Sequence, residues 1–290
     1  MPDRNIVLTG IPRSGTTLAV TLLNQRPDTL ALSEPMDIDA LGQCPSRQAR
    51  IAQIQDFFAG VRAQVAAQGR IPQRTVAGEA TNYFDASPAG GRQSTITGST
   101  LVELTRPLSE RHVCVIKHPN AFTALLGELV AVFECLAIVR NPVSVLASWH
   151  SLDAPLASGR APMAERFDER LRTSLGKSVD TLDRQLRLLG WYFDQYLDHL
   201  PRARIVRYED IISSAGLALL SALDDRPTAD AAGIPAATTL HSRNASKLYD
   251  RRFMRRLGDA LEARPRHPLW HFYTPAEIRA ISHAGTPAPN

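Results

Sequence analysis

Residues 5–21 read NIVLTGIPRSGTTLAVT: an apolar run, a loop bounded by Gly10 and Gly15, and a helix-spaced run that continues to Gln25. The pattern predicts a strand over about Asn5 to Thr9. It also predicts a helix from about Thr16 to Gln25, with Leu18, Leu22 and Leu23 on one face. The first amides of such a helix have no intrahelical partner and point back into the loop. With the helix dipole they form a cradle for an anion. A loop built to transfer a γ-phosphate reads GxxxxGK[ST]. Here the glycine spacing is kept, but Thr16 and Thr17 stand where Lys and Ser/Thr belong. The cation lies two residues before Gly15, at Arg13. The lysine that reaches between β- and γ-phosphates is missing, and so is an apolar strand ending in a magnesium-binding Asp, since Asp210 follows Tyr208 and Glu209. The expectation is a phosphate cradle made by Ser14, Gly15, Thr16 and Thr17, charged by Arg13 and needing no metal.

Further along, "TLALSEP" (29–35) reads as a short strand ending at Glu34, and residues 48–68 as a helix. "HVCVIKHPN" is an apolar strand stopping at Lys117, "AFTALLGELVAVF" a helix, and "ECLAIVRNP" a strand stopping at Arg140. "PVSVLASWH" is a helix with Pro142 at its first position and Asn141 as its cap. A long amphipathic helix carrying Leu182, Leu186, Leu189, Trp191, Phe193 and Leu197 precedes a further strand, "ARIVRYED". Thr274 and Glu277 have capping-box spacing. "STLVEL" (99–104) reads as an edge strand and "DASPAGGRQS" (85–94) as a loop. Strands alternating with helices imply an α/β fold of the P-loop type, a three-layer arrangement with a central, mainly parallel sheet flanked by helices. No repeat and no linker divides the chain. One domain over 1–290 is expected, with insertions at about 36–110 and 150–200.

In such sheets ligands bind at the carboxyl ends of strands. The polar punctuation falls there: Arg13, Glu34, Lys117, Arg140 and Tyr208-Glu209-Asp210. Arg140 at a strand tip and Ser148 in the following helix can grip one phosphate, with Ser144 on the same helix face as Ser148. Two separate phosphate sites on one sheet suggest a nucleotide phosphorylated at both its 5′ and 3′ ends.

These blocks resemble the sulfotransferase family. "GIPRSGTTL" looks like its 5′-phosphosulfate loop, "RNPVSVLAS" like its 3′-phosphate motif RxPxxxxxS, "VIKHPNAF" like its strand-end Lys-x-Pro segment and "IVRYEDI" like its late strand. The "PRSGTTL" form and the glutamate of "ALSEP" are similar to the tyrosylprotein, carbohydrate and bacterial branch. The resemblance implies sulfuryl transfer from 3′-phosphoadenosine 5′-phosphosulfate to an acceptor hydroxyl or amine. It implies Arg13 and Lys117 as cations on the transferred group, and Arg140 and Ser148 as 3′-phosphate ligands. Either Glu34 or His118 is the base. No GxxGxxK-type motif occurs late in the chain; Arg243, Ser246 and Lys247, in the basic segment 241–256, are the candidates for closing over the 3′ side. Tyr208-Glu209-Asp210 reads as structural, the aromatic packing and the carboxylates capping a turn or pairing with an arginine.

A net charge of +4 is too small to argue for nucleic acid. Cys44, Cys114 and Cys135 form no metal or disulfide pattern, and the last two sit in apolar runs. No cationic-then-apolar leader precedes the first strand, and no apolar stretch reaches the roughly 20 residues that span a bilayer. The expectation is a soluble, reduced, cytoplasmic protein. A P-loop kinase or a non-catalytic nucleotide-binding protein is the alternative. The acceptor is left open among a small molecule, carbohydrate, lipid-linked molecule and peptide. Residues 36–48, 79–110 and 150–175 are its candidate lining, with Tyr83, Phe84 and Phe167 as their aromatics; oligomeric state is likewise open.

Overall fold

The structure, a computed structural model, describes residues 3–75, 84–86, 92–94, 98–104, 106–224 and 239–284. Five apolar segments form the central sheet: β1 (Asn5–Gly10), β2 (Thr29–Ser33), β3 (Val113–Lys117), β4 (Glu134–Val139) and β5 (Ile205–Arg207). Their order is β2-β3-β1-β4-β5, with every neighbouring pair parallel. These strands read as near-continuous apolar runs because both faces of the sheet are covered. Ile6, Leu8, Val115, Leu136 and Ile138 pack on one side with Leu22, Leu23 and Leu219. The alternate residues Val7, Ile116, Ala137 and Val139 pack on the other with Trp149, Leu189 and Phe193. That two-residue alternation is what makes three layers.

Seven helices matter for the site: α1 (Thr16–Gln25), α2 (Arg47–Gln68), α3 (Pro119–Ala124), α4 (Pro142–His150), α5 (Thr181–His199), α6 (Arg251–Glu262) and α7 (Pro275–Ser282). Asn141 caps α4 by accepting from Val143 N–H at 3.1 Å, and Pro142 stands in its first turn. Thr274 and Glu277 form the capping box that starts α7. Parallel register aligns the strand tips: Leu8 and Ser33 both pair with Lys117, Gly10 with Ile138, and Val139 with Arg207. The loop after β1, Glu34, Lys117 and Arg140 therefore leave the sheet along one edge, beside the strand where the order reverses.

Residues 98–103 are a strand, in line with the edge-strand reading of 99–104, and they pair antiparallel with Arg70–Thr75 in a ribbon of their own. Three segments differ from their sequence reading. Within 85–94 the ends pair as a small antiparallel ladder, Phe84–Ala86 with Arg92–Ser94. The run 121–133 bends at Leu125 (φ −96°, ψ 5°), giving α3 and a short helix Leu126–Leu129. Both Leu125 and Leu126 are buried by that bend. The last strand stops at Arg207, and Tyr208 already opens a helix, Tyr208–Ser213.

Candidate active site

The loop after β1 is fastened from below. Ile138 O accepts from Ile11 N–H at 3.0 Å and from the Ser14 hydroxyl at 2.8 Å. The Trp149 indole, fully buried, donates to Pro12 O at 2.9 Å. Gly10 has φ +153°, and a Cβ there would lie 2.6 Å from Ile138 O. Gly15 has φ +95°, and a Cβ there would lie 2.6 Å from the Tyr208 ring. Arg13 itself sits at φ 75°, a conformation that costs a non-glycine residue roughly 1–3 kcal/mol and is held only where its surroundings enforce it. Ser14 spends its amide on Ile11 O at 2.9 Å as well as its hydroxyl on Ile138, so both of its donors brace the loop. The helix's own bonding begins with Ala19 N–H to Gly15 O at 3.0 Å. The amides of Gly15, Thr16 and Thr17 precede that bond, in the first turn where helix amides have no intrahelical acceptor.

The second group is gathered by β2 and β3. Lys117 is 2% exposed, yet its ammonium reaches Glu34 Oε1 at 2.8 Å and Ser33 Oγ at 3.1 Å. The Glu34 side chain is 21% exposed, so the pair has one buried and one accessible member. Glu34 has φ 53°, and its N–H donates to Lys117 O at 2.8 Å. His118, 3% exposed, accepts from Met36 N–H through Nε2 at 3.1 Å. Adjacent strand residues ordinarily face opposite ways; here both side chains bond the chain that follows β2.

The third group surrounds Arg140. Its Nε donates to Asn244 Oδ1 at 2.7 Å, one terminal nitrogen to Arg13 O at 2.9 Å and the other to Arg243 O at 2.6 Å. Its guanidinium carbon lies 4.7 Å from the Tyr208 ring centroid. Ser148 Oγ accepts from Arg13 Nε at 3.3 Å, and Ser144 donates to Asn244 O at 2.9 Å. The Arg243 amide donates to the Tyr208 hydroxyl at 3.1 Å while the Arg243 side chain is exposed, as is Lys247. Ser246 accepts from Leu248 N–H at 3.3 Å in a local turn.

Glu209 is the hub behind this group. It accepts from Asn141 N–H at 2.9 Å, Asn244 Nδ2 at 2.7 Å and the Tyr273 hydroxyl at 3.0 Å. Burial, and then the Glu209 carboxylate, push the Tyr273 phenol well above its ordinary value, which keeps it a donor. Glu209 therefore binds donors from three segments rather than capping its own turn, and its contact with Arg207 is longer, at 3.9 Å.

The sequence reading missed Asn244, Trp149 and the hub role of Glu209. The signals were faint: a polar residue inside a basic run, an aromatic one place beyond Ser148, and a carboxylate in "RYED". Among the proposed acceptor-lining residues, Phe167 packs against the core, whereas Tyr83 and the Phe84 side chain lie outside the described residues. No helix among the described residues is long and apolar enough to cross a membrane. No grouping of three or more His, Cys, Asp or Glu side chains among them could hold a metal ion.

Compared with known proteins, residues 5–216 match a family model described as the sulfotransferase family, which covers well over half of the chain. No curated protein matches it. The matched span takes in the loop, Glu34, Lys117, Arg140 and Ser148, and stops before the segment that carries Arg243 and Asn244.

Proposed function

The chain belongs to the sulfotransferase family, and we propose that it moves a sulfuryl group from 3′-phosphoadenosine 5′-phosphosulfate to an acceptor hydroxyl or amine. One observation carries the reading. The amide cradle and the Arg140–Ser148 pair, each suited to an anion, are joined through Arg13, whose side chain meets Ser148 and whose carbonyl meets Arg140. Such a site suits one ligand with an anionic group at each end. The donors fit: Gly15, Thr16 and Thr17 amides with Arg13 at the 5′ end, and Arg140, Ser148, the exposed Arg243 and Lys247 and the half-buried Ser246 at the 3′ end.

When bound, the nucleotide supplies the sulfuryl group and leaves as adenosine 3′,5′-bisphosphate. Arg13 and Lys117 are fixed cations for the charge that develops on the transferred group and the departing phosphate. Charge held in place in this way supplies much of the rate gain in many group-transfer enzymes. Lys117 already bonds Glu34, so the base and the cation start as neighbours. Glu34 Oε takes the proton from the acceptor hydroxyl as the new oxygen–sulfur bond forms. The tyrosylprotein- and carbohydrate-like branch suits this carboxylate, and the acceptor is a hydroxyl- or amine-bearing small molecule, carbohydrate, lipid-linked molecule or peptide.

The test is thermal stabilisation by adenosine 3′,5′-bisphosphate against ATP with magnesium, since a ligand bound only by the folded state adds RT ln(1 + [L]/Kd). Stabilisation by the bisphosphate alone, with label transferred from ³⁵S-donor to an acceptor in a screen, is the expected result. Stabilisation by ATP–magnesium without the bisphosphate would overturn it in favour of a kinase. Bisphosphate binding without transfer to any acceptor would favour a nucleotide-binding protein.

A further inference from the structure

We infer that His118 is a positioning residue for Glu34 and not the proton acceptor; this rests on the sulfotransferase reading of the site. A backbone N–H can only donate. The His118 Nε2 that receives Met36 N–H at 3.1 Å therefore carries a lone pair and no hydrogen. In the neutral ring the hydrogen is then on Nδ1, which can donate but not accept. The one nitrogen able to take a proton is spent on the protein. The ring is 3% exposed and wedged edge-on against Phe122, with centroids 5.0 Å apart, so turning it toward an acceptor breaks the Met36 bond and this contact together.

What the bond holds is the residue two places earlier. Glu34 sits at φ 53°, left-handed without the freedom of glycine, and a non-glycine residue stays there only when its neighbours fix it. Two bonds bracket it: Glu34 N–H to Lys117 O at 2.8 Å before, and Met36 N–H to His118 Nε2 after. Consecutive residues of one strand end thus clamp the turn on both sides of the strained position. The clamp sets the direction in which the Glu34 carboxylate leaves the backbone and meets Lys117 Nζ at 2.8 Å.

The test pairs His118→Gln with His118→Leu. Glutamine keeps an acceptor oxygen for Met36 N–H and cannot serve as a base; leucine keeps the bulk and offers no acceptor. With the acceptor found in the labelled-donor screen, His118→Gln should retain turnover within about fivefold of wild type and the wild-type pH profile. His118→Leu should lose at least tenfold in kcat with donor KM unchanged. Adenosine 3′,5′-bisphosphate should still stabilise both variants, which certifies the fold. If His118→Gln falls as far as Glu34→Gln and loses the acid limb of the pH profile, His118 is the base and the inference is overturned. A second arm needs no activity: with ¹⁵N-labelled histidine at neutral pH, His118 should show an unprotonated Nε2 and a protonated Nδ1. The opposite tautomer overturns the clamp even if transfer is demonstrated. The expected tautomer in a protein that transfers no sulfuryl group upholds the clamp and overturns only the functional reading.

Discussion

Replacing Gly15 by alanine tests the loop and its support in one experiment. At φ +95° an L-residue is strained by about 1–2 kcal/mol. The new Cβ would meet Tyr208 Cδ2 at 2.6 Å and Cε2 at 3.1 Å, where ordinary carbon contacts are about 3.5–4.0 Å. The ring must yield by roughly 1 Å, and it is poorly placed to do so. It is 4% exposed, lies beneath the Arg140 guanidinium and is tied through its hydroxyl to the Arg243 amide. Overpacking of this kind costs about 1–3 kcal/mol. The sum, roughly 2–5 kcal/mol, is below the about 5–15 kcal/mol of a typical fold, so the variant should fold with its midpoint lowered by roughly 4–20 °C. Displacing the cradle should also weaken adenosine 3′,5′-bisphosphate at least tenfold. At a concentration 100 times the wild-type Kd, stabilisation should then fall from about 2.7 to about 1.4 kcal/mol. The assay is a thermal melt with and without bisphosphate. A Gly15→Ala protein with wild-type midpoint and undiminished bisphosphate stabilisation would refute both the contact and the cradle.

Glu34→Gln should cut turnover at least a hundredfold, while calorimetry finds bisphosphate affinity within about threefold of wild type; full activity would remove Glu34 from the chemistry. Arg140→Lys keeps a charge but loses the fork that meets Asn244, Arg13 and Arg243 at once, so bisphosphate binding should weaken at least tenfold in the same titration. Burial pushes the Cys114 and Cys135 thiols up to about 12 from an ordinary 9.0. The unfolded chain therefore releases these protons first, and stability present below pH 9 is lost as pH rises from about 9 to about 12. At pH 10 each thiol should cost on the order of 1 kcal/mol, visible as a lower urea midpoint than at pH 8. A Cys114→Ala/Cys135→Ala variant should flatten that dependence; an unchanged slope would refute the assignment.

The elements that the sequence made legible are those whose signal is local. Apolar runs of strand length, a proline and an asparagine at the head of α4, and Thr274 with Glu277 each state a backbone preference within a few residues. The two-sided burial of β1, β3 and β4 is written in their unbroken hydrophobicity. The strand Arg70–Thr75 was harder, because its largely polar run gains its regularity only by pairing with Gly98–Glu103. The bend at Leu125 interrupts a run whose composition alone favours a continuous helix.

For the site, the residue types of the loop, Glu34, Lys117 and Arg140 were legible in the sequence because each stands where a strand ends and polar chemistry begins, and Ser148 because it lies on the helix that follows Arg140. Their use was decided by tertiary structure. Ser14 faces inward because Ile138 O lies beneath it, and Lys117 is buried because Ser33 and Glu34 cover its ammonium. Asn244, more than 100 residues from Arg140, becomes its partner only once α4 and the Tyr208 turn bring the chain back. Hydrogen-bond partners distant along the chain leave no periodicity in it. A sequence can name the charges at the ends of a parallel sheet, whereas the register of that sheet determines which of them meet.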